Sequence, residues 1–402
     1  MSGGTAGRGV LLTGGSGYVG GLIAATLLIH EDVSIVAPVR KAVDRKRFLE
    51  PLRAEVRLAG HELTEEMEAR IHLVDLPDRE HLGELDAIVA EMGVDEIIHC
   101  AGCLDYFNAA ALEEVNVELT RRLVEHAQRW NVSRLVFIST AFSSGYLFRP
   151  IPEALHDVPG KDPTDYTRTK RQAEEIVAGS GVPHLILRPA IIIGDSLDGH
   201  YSGKQYGLYQ LWAGMERLLC REWHPEMHVL ASRQPVQLVH QDAFQSAFLA
   251  AYRLLPSGSI VNIVSNQDTL PDLRALWDLW LDSCLRPGTT FYYERMADIP
   301  LREINGKQRA LLALASVNLQ IASHPWRFDT TAMDWMRAQG MPFTDATRES
   351  VALCQSVFVA ESRLIQEFLA AHGSSFADET TQVDVPPPAI AAAGSAAAVA
   401  AH

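Results

Sequence analysis

Cysteine is scarce, five residues in 402 and an odd number, which gives no disulfide framework. Basic residues are outnumbered, 35 Lys and Arg against 50 Asp and Glu, for a formal charge of −15. A nucleic-acid-binding chain needs a basic footprint, so no nucleic-acid partner is expected. Long apolar runs are missing as well. The longest near the start, Leu22–Ile29, is broken by Ala and Thr and falls far short of the roughly 18 residues of a membrane span. Met1, Ser2, Gly3, Gly4 and Thr5 carry no charged and apolar signal-peptide pattern. These absences, with 47% hydrophobic and 21% charged residues, leave a soluble cytoplasmic globular protein as the expectation.

Cys100 and Cys103 form a C-x-x-C. Zinc would want two further ligands at matching spacing, and neither a second pair nor a nearby His pair is present, so no metal site is expected. A redox pair stays open beside the favoured reading of two packed cysteines at the end of a buried strand.

Short apolar runs at Val10–Thr13, Val33–Val39, Arg70–Val74, Glu96–Cys100, Arg134–Ser139 and His184–Arg188 read as strands. Helical patterns separate them at Tyr18–His30, Leu82–Met92, Leu112–Trp130 and Tyr166–Ala178. That alternation predicts an α/β fold, a doubly wound parallel Rossmann sheet. The expected organisation is a dinucleotide-binding domain over residues 8–265 with a substrate-site insertion at about 196–230. A mostly helical substrate-binding cap over 266–373 follows, and then a disordered Pro/Ala-rich tail over 374–402.

Between the first strand and first helix stands Thr13-Gly14-Gly15-Ser16-Gly17-Tyr18-Val19-Gly20. Glycines at 14, 17 and 20 allow a tight turn, close approach to a pyrophosphate and close helix packing. The helix N-terminus then offers N–H groups and a positive dipole end. Gly14, Ser16, Gly17, Tyr18, Val19 and Gly20 are the expected contacts. NAD would want an acid after the second strand, where this chain has Arg40. An arginine fork suits a 2′-phosphate, so NADP(H) is the expected cofactor. Asp75 and Leu76 follow the third strand, where they are expected at the adenine edge unless Asp75 is only a surface acid, and Ala101, after the fourth, is expected to let the cofactor lie against the backbone.

Tyr166 and Lys170 stand one turn apart on one helix face. A nearby ammonium is expected to lower the tyrosine pKa from near 10, making Tyr166 the proton donor to a carbonyl oxygen. Lys170 also holds the nicotinamide ribose. Thr140, at a strand end, is the expected third member, with Ser139 as the alternative one position away. Asn116 either anchors backbone near the site or is an ordinary helical residue.

Together these motifs resemble the extended short-chain dehydrogenase/reductase superfamily, from Val10 to about Val264. The resemblance implies a Rossmann fold and a Thr140, Tyr166, Lys170 triad. Within it, the stretch from Phe137 through Ser139, Thr140 and Phe142 to Gly145 is similar to the thioester reductase and fatty acyl-CoA reductase branch. So is Leu187-Arg188-Pro189 running through Ile193 to Gly194-Asp195-Ser196, with Pro189 expected at the cofactor. A long charged segment between Arg40 and Ile71 is a third likeness. The branch implies NADPH-dependent reduction of an acyl group carried on CoA or an acyl carrier protein. Val74 stands where that branch usually has glycine. The basic run from Arg40 through Arg57 connects to a phosphate-bearing donor, or is a solvated helix. The alternatives are a nucleotide-sugar epimerase or dehydratase, a hydroxysteroid- or flavonol-type dehydrogenase, and a non-catalytic NADP-sensing regulator. Arg40 disfavours the first, and the presence of both Tyr166 and Lys170 disfavours the last.

Overall fold

A computed structural model gives the structure of residues 8–40, 45–203, 205–373 and 380–386. Up to residue 263 it has strands β1 (Arg8–Thr13), β2 (Val33–Val39), β3 (Ile71–Asp75), β4 (Val94–His99), β5 (Arg134–Ile138) and β6 (His184–Pro189). They are followed by β7 (Ile191–Ile193), β8 (Glu226–Leu230), β9 (Leu238–His240) and β10 (Ser259–Ile263). Seven make one parallel sheet in the order β10-β6-β5-β4-β1-β2-β3. The chain winds outward from β1 to β3, then returns to β4 on the other side of β1. Ligands of such sheets bind at that reversal, outside the strands' carboxyl ends.

Successive strand residues point to opposite faces, and both faces are buried. Val10, Leu12, Ile35, Ala37, Val136 and Ile138 pack with the helices Tyr18–His30 and Gln241–Leu254. The intervening Leu11, Val36, Leu135 and Phe137 pack with Leu119–Arg129 and Asp165–Gly179. Apolar runs without polar alternation are what a sheet covered on both sides requires.

The rest differs from the sequence expectation in several places. The stretch expected as one helix from Leu112 runs as a short α-helix (Ala109–Leu112), a π-turn (Glu113–Glu118) and a second α-helix (Leu119–Arg129). The cap contains a parallel sheet as well as helices. In it β11 (Thr289–Tyr293) lies between β8 and β12 (Thr381–Val385). Residues 381–385 therefore pair with the cap, where the sequence reading places a disordered tail; residues 374–379 and 387–402 lie outside the described ones. Thr-Thr-Phe-Tyr-Tyr and Thr-Gln-Val-Asp-Val are β-prone segments, and pairing supplies the ladder bonds neither makes alone. Finally, Met333 and Met336 of the helix Thr331–Ala338 pack into the sheet's own core, so the expected boundary at 265/266 is crossed.

The cap core is aromatic, with Trp212, Trp277 and Trp280 almost wholly buried among the helices Leu208–Leu218, Leu273–Trp280 and Gly306–Ala322. Among the described residues no helix is long and apolar enough to cross a membrane.

Candidate active site

After β1 the chain turns through Gly14, whose φ of +73° is left-handed backbone that favours glycine. The Gly17 N–H donates to the Gly14 carbonyl at 2.9 Å, and the helix starts at Tyr18. A Cβ on Gly20 would lie 2.2 Å from the Gly14 carbonyl oxygen, and one on Gly14 2.6 Å from the Ala101 nitrogen. Glycine at these two places lets loop, helix and the end of β4 meet. No side chain caps the helix at Gly17, so its first amides and dipole face an incoming anion. This cradle fits a dinucleotide pyrophosphate.

A buried chain of hydrogen bonds ties that loop to the far side of the site. Thr13 Oγ1 meets His99 Nδ1 at 2.7 Å, and His99 Nε2 meets Thr120 Oγ1 at 2.9 Å. Thr120 donates to the Asn116 carbonyl at 2.7 Å. Burial, helped by the Lys170 charge, pushes the His99 pKa down to about 3, so the ring is a neutral bridge. Asn116, in the π-turn, accepts from the Cys103 N–H at 2.7 Å and donates to the Cys103 carbonyl and to Thr169 Oγ1 at 3.2 and 3.0 Å. It anchors backbone. Cys100 and Cys103 are unpaired thiols. Burial pushes the Cys100 thiol up to about 12, which keeps it protonated and favours the packed reading over a redox pair.

Thr164 and Thr167 cap each other's backbone N–H groups, a reciprocal box that starts the helix at Asp165 and sets Tyr166 in its first turn. Lys170 follows one turn on, its Nζ donating to the Ile138 carbonyl at 2.5 Å and lying 4.1 Å from the Phe137 ring centre. Burial lowers Lys170 to about 8, against the opposing pull of Cys100 and Glu174. Tyr166 departs from expectation. Burial, with Tyr106 and Cys100 adding, holds its phenol well above the ordinary value, and Lys170 is not among the causes. With its pKa held above the ordinary value by burial, the phenol keeps its proton at neutral pH.

Ser139 and Thr140 differ in packing, although both line the same cavity. Ser139 donates to Glu174, which is paired with Arg188 at 2.6 Å, both side chains fully buried. Arg188 also donates to the carbonyls of Pro152 and Ala154 at 3.0 and 2.9 Å. Ser139 thus belongs to a structural network, whereas Thr140 makes only a weak 3.4 Å contact with the Phe142 N–H.

A cavity of about 340 Å³ joins these parts. Gly14, Gly17, Tyr18, Val19, Gly20, Thr140, Tyr166, Lys170 and Pro189 all line it. Ser16 and Arg40 are exposed, Arg40 just beyond the end of β2. Asp75 ends β3, and the Leu76 N–H bonds the Val39 carbonyl at 2.8 Å. Ala101 is half-buried against Gly14. These five border the sheet's carboxyl edge outside the cavity lining. The basic run is largely engaged within the protein. Arg45 donates to the Ile71 and Glu68 carbonyls at 3.0 and 2.7 Å, and Arg53 pairs with Glu68 at 2.6 Å. Lys41, next to Arg40, lies outside the described residues.

The same cavity takes in residues from the expected substrate insertion and cap, none of which a motif singled out. Leu208, Leu211, Leu273, Leu276, Leu319 and Ala322 wall it, with Tyr106, Tyr201 and Tyr206 beside them. Each leucine reads in sequence only as helix core, and the tyrosines sit in loops without a motif.

Residues 12–243 match the family model described as male sterility protein. That match covers more than half of the chain. The chain belongs to this NAD-binding family, within the extended short-chain dehydrogenase/reductase superfamily. It is 27% identical over 254 residues to human short-chain dehydrogenase/reductase family 42E member 1, covering 56% of this chain and 58% of that one. It spans less than two thirds of the length of the curated relatives it matches. Its fold is similar to the terminal R domain from the myxalamid PKS-NRPS biosynthetic pathway, with TM-score 0.70, 19% identity, and 92% and 93% of the two chains covered. A thiolation-reductase di-domain from an archaeal non-ribosomal peptide synthetase gives TM-score 0.62 at 18% identity, with 88% and 90% covered.

Proposed function

We propose that this member of the superfamily is an NADPH-dependent reductase of acyl thioesters, giving an aldehyde or, after a second reduction, an alcohol. The observation that carries the reading is the lining of one cavity. Its wall takes in the glycine loop, Tyr166, which holds its proton, and a set of leucines. Gly14, Gly17 and Gly20 would hold the pyrophosphate, Arg40 the 2′-phosphate, and Lys170 the nicotinamide ribose. NADPH, when bound, supplies the hydride.

Thr140 donates a hydrogen bond to the thioester carbonyl oxygen and fixes its position, so that charge developing there meets a placed donor. Tyr166 gives its proton to that oxygen as hydride reaches the carbon. The resulting hemithioacetal breaks its C–S bond, leaving an aldehyde and a free thiol. The leucines of this lining favour an acyl chain over a sugar, because they would bury its apolar surface. The R-domain and thiolation-reductase likenesses support a carrier-bound donor.

The test is NADPH oxidation by the purified protein with a panel of acyl-CoA and acyl-carrier thioesters. Turnover with a thioester, and release of free thiol, is expected. Turnover only with a nucleotide sugar or a free ketone would overturn the reading.

A further inference from the structure

We propose that Tyr106 is a positioning residue for the reduction, holding the Tyr166 ring in place and keeping water from its phenol. The proposal rests on Tyr166 being the proton donor. Tyr106 lies on the segment after β4, with Leu104 41% and Phe107 93% exposed beside it. In the run 104–110 every other residue is exposed, while Tyr106 alone turns inward and lines the cavity. Its ring centre is 5.7 Å from that of Tyr166, the planes tilted by 35°, within the range of favourable aromatic pairs.

The segment is fastened where it matters. Asn116 grips Cys103 through both its N–H and its carbonyl, and the same amide bonds Thr169 in the helix turn between Tyr166 and Lys170. Thr169 in turn donates to the Tyr166 carbonyl at 2.9 Å. Tyr106 is thus carried by a loop pinned to the very turn whose side chain it faces. Against one wall of the Tyr166 ring stands a second ring, and small displacements of a reacting group cost heavily in rate.

Tyr106→Ala should lower kcat by about 100-fold while leaving the Kd for NADPH within about twofold of the parent. The unchanged cofactor affinity also shows that the variant is folded. Tyr106→Phe, which keeps the ring, should restore most of the turnover. A second readout needs no substrate. The titratable groups facing Tyr166 are Tyr106, Cys100 and, one turn along, Lys170. In an ultraviolet phenolate titration, Tyr166, identified by its loss in the double variant with Tyr166→Phe, should ionise at lower pH in Tyr106→Ala than in Tyr106→Phe. Unchanged kcat in Tyr106→Ala, or a Phe variant as impaired as Ala, overturns the positioning role. Full activity of Tyr166→Phe instead overturns the proposed function.

Discussion

Tyr166 starts the proposed reaction holding its proton, because burial outweighs any help toward the phenolate. A donor that is fully protonated suits carbonyl reduction, and it makes the hydroxyl the one atom whose removal stops the chemistry. Tyr166→Phe should therefore cut kcat by about 10²- to 10⁴-fold with the Kd for NADPH unchanged, as steady-state rates and binding titrations would show. Lys170 behaves differently. Its pKa is lowered to about 8 by burial, so the ammonium is present below that pH and lost above it. Cofactor binding should weaken as pH rises through about 8, measured by NADPH titration at a series of pH values. Arg40→Asp should weaken NADPH binding far more than NADH binding, since it removes a charge-assisted partner of the 2′-phosphate. Equal losses would remove Arg40 from that site. That Tyr166 and Lys170 share a helix face is legible in sequence from helix periodicity, and the order of motifs around them singles the pair out. Tyr106 is not, since its partner lies sixty residues on and nothing local marks the loop that joins them.

At the scale of elements, the buried Glu174–Arg188 pair ties β6, the Tyr166 helix and the end of β5 together with the loop at Pro152 and Ala154. Burial pushes Glu174 up, but the charge and bonds of Arg188 and the bond from Ser139 hold it below the usual carboxylate range. Removing one partner leaves the other charge uncompensated, so Glu174→Gln should cost about 3–5 kcal/mol in denaturant unfolding. Glu153 points the other way. Its two oxygens accept from the N–H groups of Asn262 at 3.1 Å and Ala332 at 2.8 Å, stapling β10 to the start of the helix Thr331–Ala338. Burial nevertheless raises its pKa to about 7. A raised carboxyl contributes stability that is full below its unfolded pKa and lost as pH climbs through the folded value. Glu153's contribution should accordingly fall between about pH 5 and about pH 8, read as the difference between the melting-temperature profiles of the parent and Glu153→Gln across that range. Strands of the main sheet were readable because both their faces are apolar. By contrast, β8, β11 and β12 sit among helices and declare themselves only through partners distant in sequence.

For the molecule as a whole, the sequence predicted an inert tail, and the structure ties its segment 381–385 to the cap. Beyond the ladder with β11, Asp384 pairs with Arg274, whose guanidinium lies 4.0 Å from the Tyr292 ring centre. Truncation after residue 373 should therefore lower the melting temperature by about 1 °C, the shift that about 1 kcal/mol gives at roughly 2 cal/mol/K per residue over a chain of this length. Calorimetry of the shortened protein checks it, and an unchanged transition would mean that β12 adds nothing. Having its central strand flanked by β8 and β12 also sets a schedule for the newly made chain. On the ribosome, the dinucleotide-binding sheet has all its strands by residue 263 and can form while synthesis continues. The cap waits for its last strand until residues 381–385 emerge. Chains that stop before that strand would carry the dinucleotide cradle without a finished cap, so in the proposed reductase selectivity would come last.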